Sequence, residues 1–327
     1  MAELTPLSTP DARRLASAYG LSLASLRSHP GGSVNSNFEL ESAEGRRYFL
    51  RIYEEQGRTG AASEARLLRE LAAGGVPVVP PLAPLGGVDI VEHAGKPVAL
   101  FEFVAGAMRC QASVSPADTR ALGEALATVH AQTPRLTPLS EGRFRLPDLY
   151  DRLDRVVESG NAELARAAEH IRERLDHYAP LRDPELPRGI IHGDLFRDNV
   201  LWSGRELAAL IDFESASFGP FAYDLMVCVL SWCFADDFRV ELVDGLLSGY
   251  ASRRALDPRE LAAMRTEAAL CCLRFATTRI TDFSLRAPPG HAPARDYRRF
   301  LARLERIEAG ALDAALTRLG ASSRRSG

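Results

Sequence analysis

Along the first hundred residues apolar and polar positions change in short runs, the signature of strands. Asn37 to Glu41 and Arg47 to Tyr53 are rich in Phe, Leu, Ile and Tyr, and Ser42-Ala43-Glu44-Gly45 between them has the composition of a hairpin turn. Val88 to Glu92 and Pro97 to Val104 read as two further strands. Helical spacing interrupts this texture twice. Thr9-Pro10-Asp11 supplies a cap and an early proline for a short helix that stops at Gly20. Ala61 to Ala73 carries Leu67, Leu68 and Leu71 on one side, and Gly74-Gly75 with Pro77 ends it.

Beyond Gly106 the period lengthens. Ser115-Pro116-Ala117-Asp118 starts a helix, and Leu122, Leu126 and Val129 follow at helical spacing to about His130. Helices are also expected over Leu149 to Glu158, Ala162 to Tyr178, Phe221 to Phe234, Val240 to Tyr250, Pro258 to Phe283 and Tyr297 to Leu319. One strand-like island interrupts them: Gly189 to Ile191, Val200 to Trp202 and Leu207 to Asp212. No internal repeat is visible, and Ala321 to Gly327 is expected to be disordered. The pattern predicts an α+β protein with a strand-rich part over 1–103 and a mostly helical part over 104–327, in keeping with a prior of about 150 residues per domain.

Composition narrows the class. The chain is 46% hydrophobic and 25% charged, as soluble globular proteins are. Its 40 basic and 43 acidic residues give a net charge of −3, so no positive excess exists to bind nucleic acid or an anionic membrane. Five cysteines (Cys110, Cys228, Cys233, Cys271, Cys272) form no Cys-x-x-Cys pair and are expected to be reduced core residues. Met1 to Tyr19 has no long apolar run, and nowhere do 18 uncharged apolar residues follow one another, so a cytoplasmic enzyme is expected. Lys96 is the single lysine. A site that ordinarily uses lysine must here use the planar fork of arginine.

The island carries the candidate chemistry: His192-Gly193-Asp194-Leu195-Phe196-Arg197-Asp198-Asn199, then Ile211-Asp212-Phe213. Phosphoryl transfer needs one carboxylate to accept the proton of the attacking hydroxyl, and an oxygen ligand with a second carboxylate to hold magnesium on the nucleotide phosphates. Asp194, Asn199 and Asp212 have the types and spacing for those roles. His-Gly-Asp alone is ordinarily a turn; the combination is what points to chemistry.

These residues resemble the aminoglycoside phosphotransferase and choline kinase superfamily, over about Leu21 to Leu285. The resemblance implies a two-lobed, protein-kinase-like α+β fold that uses ATP and Mg2+, with Asp194 as base, Asn199 and Asp212 as magnesium ligands and His192 as brace of the catalytic loop. It implies further that Asp224 reaches back to that loop and that Glu214 adds a metal contact, a solvated carboxylate being the alternative. On the nucleotide side Gly31, Gly32 and Ser33 would lie over the phosphates, unless they form a bare hairpin loop. Arg51 stands where kinases place lysine, Glu64 where its partner glutamate falls, and Glu102 and Val104 where backbone groups bind adenine; an outward-facing Arg51 is the alternative.

Phe213 and Gly219 lie too close along the chain for the long segment on which protein kinases dock polypeptides, so a small-molecule acceptor is expected. Val34-Asn35-Ser36-Asn37-Phe38, Tyr223 to Cys233, and Leu273-Arg274-Phe275 with Thr278 to Asp282 resemble the homoserine kinases of the phosphotransferase type. If Pro258 to Phe283 is one helix, Phe275, Arg279 and Asp282 share a face on which arginine suits a carboxylate and aspartate an ammonium. A surface ion pair between Arg279 and Asp282 is the plainer alternative. The expected reaction is homoserine to O-phosphohomoserine, a step of threonine biosynthesis. Its rivals are phosphotransfer to choline, ethanolamine, methylthioribose, an aminoglycoside or protein serine or threonine, and a nucleotide-binding pseudokinase. The oligomeric state is left open.

Overall fold

The computed structural model describes residues 5–29, 34–137, 139–142, 144–287, 291 and 293–323. Antiparallel strands β1 (Leu23–Ser28), β2 (Ser36–Ser42), β3 (Arg47–Ile52), β4 (Val91–His93) and β5 (Lys96–Glu102) form one sheet in the order β1-β2-β3-β5-β4. Period-two alternation gives β3 its two faces. Tyr48, Leu50 and Ile52 are buried with Leu40, Val98, Leu100 and Leu15, the last from α1 (Thr9–Ala18). Phe49 and Arg51 point the other way, and there Arg51 meets Glu64 of α2 (Arg58–Ala73). Ser8 caps α1, one residue before the expected cap, its Oγ accepting the Asp11 N–H at 3.2 Å. β1 lies outside the strands expected from sequence. It has no apolar alternation and is half-exposed, because an edge strand needs only one partner.

Two strand pairs complete the β structure: β6 (Arg188–Ile191) with β9 (Ser217–Pro220), and β7 (Val200–Ser203) with β8 (Glu206–Leu210). The chain forms two units, 1–107 with 201–214 and 108–200 with 215–327. The hairpin belongs to the first unit, where Ala107 and Trp202 exchange backbone hydrogen bonds of 2.9 and 3.0 Å and the Leu210 N–H donates to the Pro77 carbonyl at 2.7 Å. A sequence cut near residue 103 has no means of showing that excursion.

The second unit is helical: α3 (Pro116–Gln132), α4 (Leu146–Glu158), α5 (Ala162–Tyr178), α6 (Phe221–Trp232), α7 (Val240–Arg253), α8 (Pro258–Arg279), α9 (Arg298–Glu308) and α10 (Asp313–Ser323). Ser115 and Asp118 form a capping box on α3, which satisfies two orphan donors. α3 and α7 approach backbone to backbone, since a Cβ on Gly249 would lie 2.1 Å from the Arg120 carbonyl oxygen. α6 is buried on every side, with Leu225, Met226, Val229, Leu230 and Trp232 fully enclosed and Asp224 and Ser231 as its buried polar residues, so it is the axis of this unit's core.

Three expected helices are cut differently. α6 stops at Trp232 rather than Phe234, and the pattern over Tyr297 to Leu319 is two helices, parted at Gly310 with φ of +84°. α8 gives way at Ile280 to a wide π turn, Ile280–Ser284. α10 reaches Ser323, so the first part of the tail expected to be disordered is helical and 324–327 lie outside the described residues. All five cysteines are free thiols as expected, but only four are core residues: Cys110 is exposed. No described helix is long and apolar enough to cross a membrane.

Candidate active site

β6 delivers His192 and Gly193 to a loop whose backbone is held from below. Asp224, in the first turn of α6 and fully buried, accepts the His192 N–H at 2.7 Å on Oδ2 and the Gly193 N–H at 2.8 Å on Oδ1. Its Oδ2 also lies 3.1 Å from His130 Nε2, and His130 Nδ1 lies 2.7 Å from the Tyr250 hydroxyl. A carboxylate only accepts, so Nε2 carries the imidazole proton and Nδ1 accepts the tyrosine O–H. Burial pulls His130 below the ordinary histidine value, against the pull of Asp224; burial alone would raise Asp224, but the His130 hydrogen bond, neighbouring charge and the Gly193 amide hold it below the usual carboxylate range. Gly193 has φ of +75°, and a Cβ there would meet the Ser215 carbonyl oxygen at 3.0 Å.

The next turn is fixed through its carbonyls. Asn199 Nδ2 and the Phe196 N–H both donate to the Asp194 carbonyl, at 2.7 and 2.8 Å. Trp232 Nε1 donates to the Leu195 carbonyl at 3.0 Å, and Arg197 donates to that of Ser231. His192 Nδ1 accepts the Asp194 N–H at 3.3 Å. The Asp194 side chain is left 28% exposed, and Arg274 NH1 donates to its Oδ1 at 3.4 Å.

The first unit assembles a second constellation. Arg51 NH1 stands 3.3 Å from both Asp212 Oδ1 and Glu214 Oε1, and 4.0 Å from Glu64 Oε1. Its side chain is 12% exposed, so Arg51 faces inward and the outward-facing alternative is overturned. Asn35 Nδ2 donates to Glu214 and Asn35 Oδ1 accepts the Glu54 N–H, so Glu214 is tied in rather than freely solvated. Asp212 sits at φ of +67°, a left-handed conformation that Asp tolerates better than most residues. Burial, then the charges of Glu214 and Asp212, push the Glu64 carboxyl up to about 8 against the opposing pull of Arg51, whose fork is committed to the nearer pair. Arg51 Nε and Glu64 Oε2 are buried and find no hydrogen-bond partner among the described residues.

Other expected residues are placed less tightly. Glu102 ends β5 opposite Tyr48 with its side chain exposed, and Val104 follows it. Gly31, Gly32 and Ser33 lie outside the described residues. Phe275 stacks on Phe300 at 4.9 Å between centroids. Arg279 NH1 donates to the Asp296 carbonyl at 2.9 Å over the Phe300 ring, whereas Asp282 is held by Arg152 NH1 at 2.7 Å. The π turn removes the single α-helical face expected of Phe275, Arg279 and Asp282, and no Arg279–Asp282 ion pair forms among the described residues.

Comparison with known proteins follows the same direction. The model of the phosphotransferase enzyme family matches residues 25–259. The chain belongs to that family. A homoserine kinase of Afipia carboxidovorans is 33% identical over 277 residues, 83% of this chain and 84% of the relative, and one of Methylobacterium radiotolerans is 33% identical over 297 residues, 89% and 90%. The solved spectinomycin phosphotransferase in complex with ADP and spectinomycin superposes with a TM-score of 0.68 at 14% identity, over 94% of this chain and 99% of that one. The fold is thus the protein-kinase-like α+β fold of phosphotransferases.

Sequence reading missed four residues of this phosphotransferase. His130 orients Asp224, Asn35 ties Glu214, Arg152 neutralises Asp282, and Arg274 reaches Asp194. Asn35 and Arg274 stood in stretches already singled out, but nothing local distinguishes them from a loop amide or a helix-surface arginine.

Proposed function

We propose that this phosphotransferase moves the γ-phosphoryl group of ATP to the side-chain hydroxyl of homoserine. One observation carries the acceptor: the relatives spanning 83% and 89% of the chain are homoserine kinases. Asp194 is the proposed base. Its carboxylate takes the hydroxyl proton while the acceptor oxygen bonds to the γ-phosphorus and the bond to the bridging oxygen breaks, leaving ADP. His192, Asp224 and the Asn199 amide hold the backbone of the loop that presents Asp194.

Around Arg51, the two carboxylates of Asp212 and Glu214 carry more negative charge than one guanidinium balances, which speaks for a hard divalent cation. Asp212 and Asn199 Oδ1 are the proposed magnesium ligands, with Glu214 acting through water. The ion supplies charge neutralisation on the phosphate oxygens. Arg51, paired to Glu64, is proposed to reach the phosphates in place of lysine, with Gly31, Gly32 and Ser33 over them and the Glu102 and Val104 backbone at adenine. Phe275, Arg279 and Asp282 are the proposed acceptor side.

ADP release by the purified protein with MgATP tests the reading, comparing L-homoserine with L-serine, L-threonine, choline and kanamycin. Turnover on homoserine is expected, with Asp194→Asn lower by on the order of 10²- to 10⁴-fold while ATP binding is kept. Turnover on another acceptor and not on homoserine would overturn the acceptor.

A further inference from the structure

Arg274 is a charged residue in an unusual setting. On α8 it is 5% exposed, and its guanidinium lies 4.0 Å from the Phe144 ring centroid and 3.9 Å from that of Phe275. Two rings this close restrict the motion of the group and leave its N–H donors free of competition from the aromatic carbons. Among the described residues one acceptor meets those donors: Asp194 Oδ1, at a long 3.4 Å. A guanidinium carries five donors, and a nearly buried one normally spends more of them.

The surrounding charge adds to this. Arg279 is pushed down to about 10, first by burial and then by Arg303, Arg295 and Arg299, while Asp194 pulls the other way. Arg303 and Arg197 donate to the backbone carbonyls of Leu230 and Ser231 rather than to carboxylates. Arg295 is paired with Asp198, whereas Arg279, Arg303 and Arg197 spend donors on backbone carbonyls and so leave positive charge on this side of the unit.

We propose that Arg274 anchors the acceptor's carboxylate and so selects an amino-acid alcohol over an uncharged or cationic one. The inference rests on the phosphotransfer reading and deepens it. A guanidinium within hydrogen-bond range of the base lies within reach of a short carbon chain whose hydroxyl is held by that base. On binding, the acceptor carboxylate takes the planar fork of Arg274 and Asp194 Oδ1 turns to the hydroxyl proton. Contact with Phe144 and Phe275 restricts the fork for both partners.

The test measures kcat and KM of the full chain, its R274Q and its R274K variants, on L-homoserine and on 3-aminopropan-1-ol, which is homoserine without its carboxylate. Wild type should prefer homoserine by about 100-fold or more in kcat/KM. In R274Q that preference should collapse through a KM that rises for homoserine and not for aminopropanol, on top of a common change in kcat on both acceptors from the lost Asp194 contact; R274K, which keeps the charge but not the fork, should fall between. If R274Q does not fold, R274K alone decides by whether the homoserine KM rises and the aminopropanol KM does not. An unchanged preference, or an equal fall in kcat on both acceptors with KM intact, overturns the proposal while the homoserine reading stands. Wild-type turnover on aminopropanol but not on homoserine overturns that reading as well.

Discussion

Asp224 and Glu64 are both carboxylates buried on helices, one in each unit, and they end in opposite states. Asp224 receives two backbone amides and an imidazole N–H, and its carboxyl is held below the ordinary value. Glu64 lies 4.0 Å from a guanidinium already shared by Asp212 and Glu214, keeps one oxygen without a partner, and is pushed up to about 8. Burial is the same; the count of donors differs. A buried carboxylate given enough donors keeps its charge, whereas one without them takes up a proton.

That contrast breaks most directly at Asp224. Asp224→Ala leaves the His192 and Gly193 amides and His130 without their acceptor, and should cost about 3–5 kcal/mol in a denaturant titration, as loss of one partner of a buried ionic network does. A loss under about 1 kcal/mol would show that the brace is not structural. Glu64→Gln should be within about 1 kcal/mol of wild type at neutral pH, because the amide replaces a carboxyl that is already largely protonated.

The pH dependence of stability sharpens the contrast, with smaller effects. Glu64 has its folded value raised, so its contribution is complete below about 4.5 and is lost as pH rises through about 8. The Tm of metal-free wild type should therefore fall from pH 6 to 9 more steeply than that of the E64Q variant; parallel curves would refute the shift. His130 has its folded value lowered, so its contribution is present above the ordinary histidine value of about 6.5 and is lost as pH falls below it. In His130→Gln the amide still donates to Asp224 but does not titrate, and the slope of Tm between pH 6.5 and 5 should flatten.

Much of this was legible in the chain, and the reason is locality. Gly74-Gly75 and Pro77 end a helix wherever they stand, and the hairpin between β2 and β3 follows from its turn residues and alternating faces. Asp194 and Asn199 are close enough in sequence that their hydrogen bond closes within one loop. Elements without a local signal were misread: β1 is an edge strand without alternation, and the π turn after Arg279 interrupts a pattern that by itself continues as helix. That turn separated Arg279 from Asp282 and gave the latter to Arg152.

The sequence alone determined the family, the α+β alternation of elements and the chemical types available at the loop, because spacing along the chain and backbone preference are properties of neighbours. The tertiary structure decided the charge state of Glu64, the inward direction of Arg51 and the arginine that meets the base. Those depend on partners 161 residues apart in the case of Arg51 and Asp212, and 80 apart for Arg274 and Asp194. Electrostatic energy follows distance and burial in space, and neither is written in the order of residues.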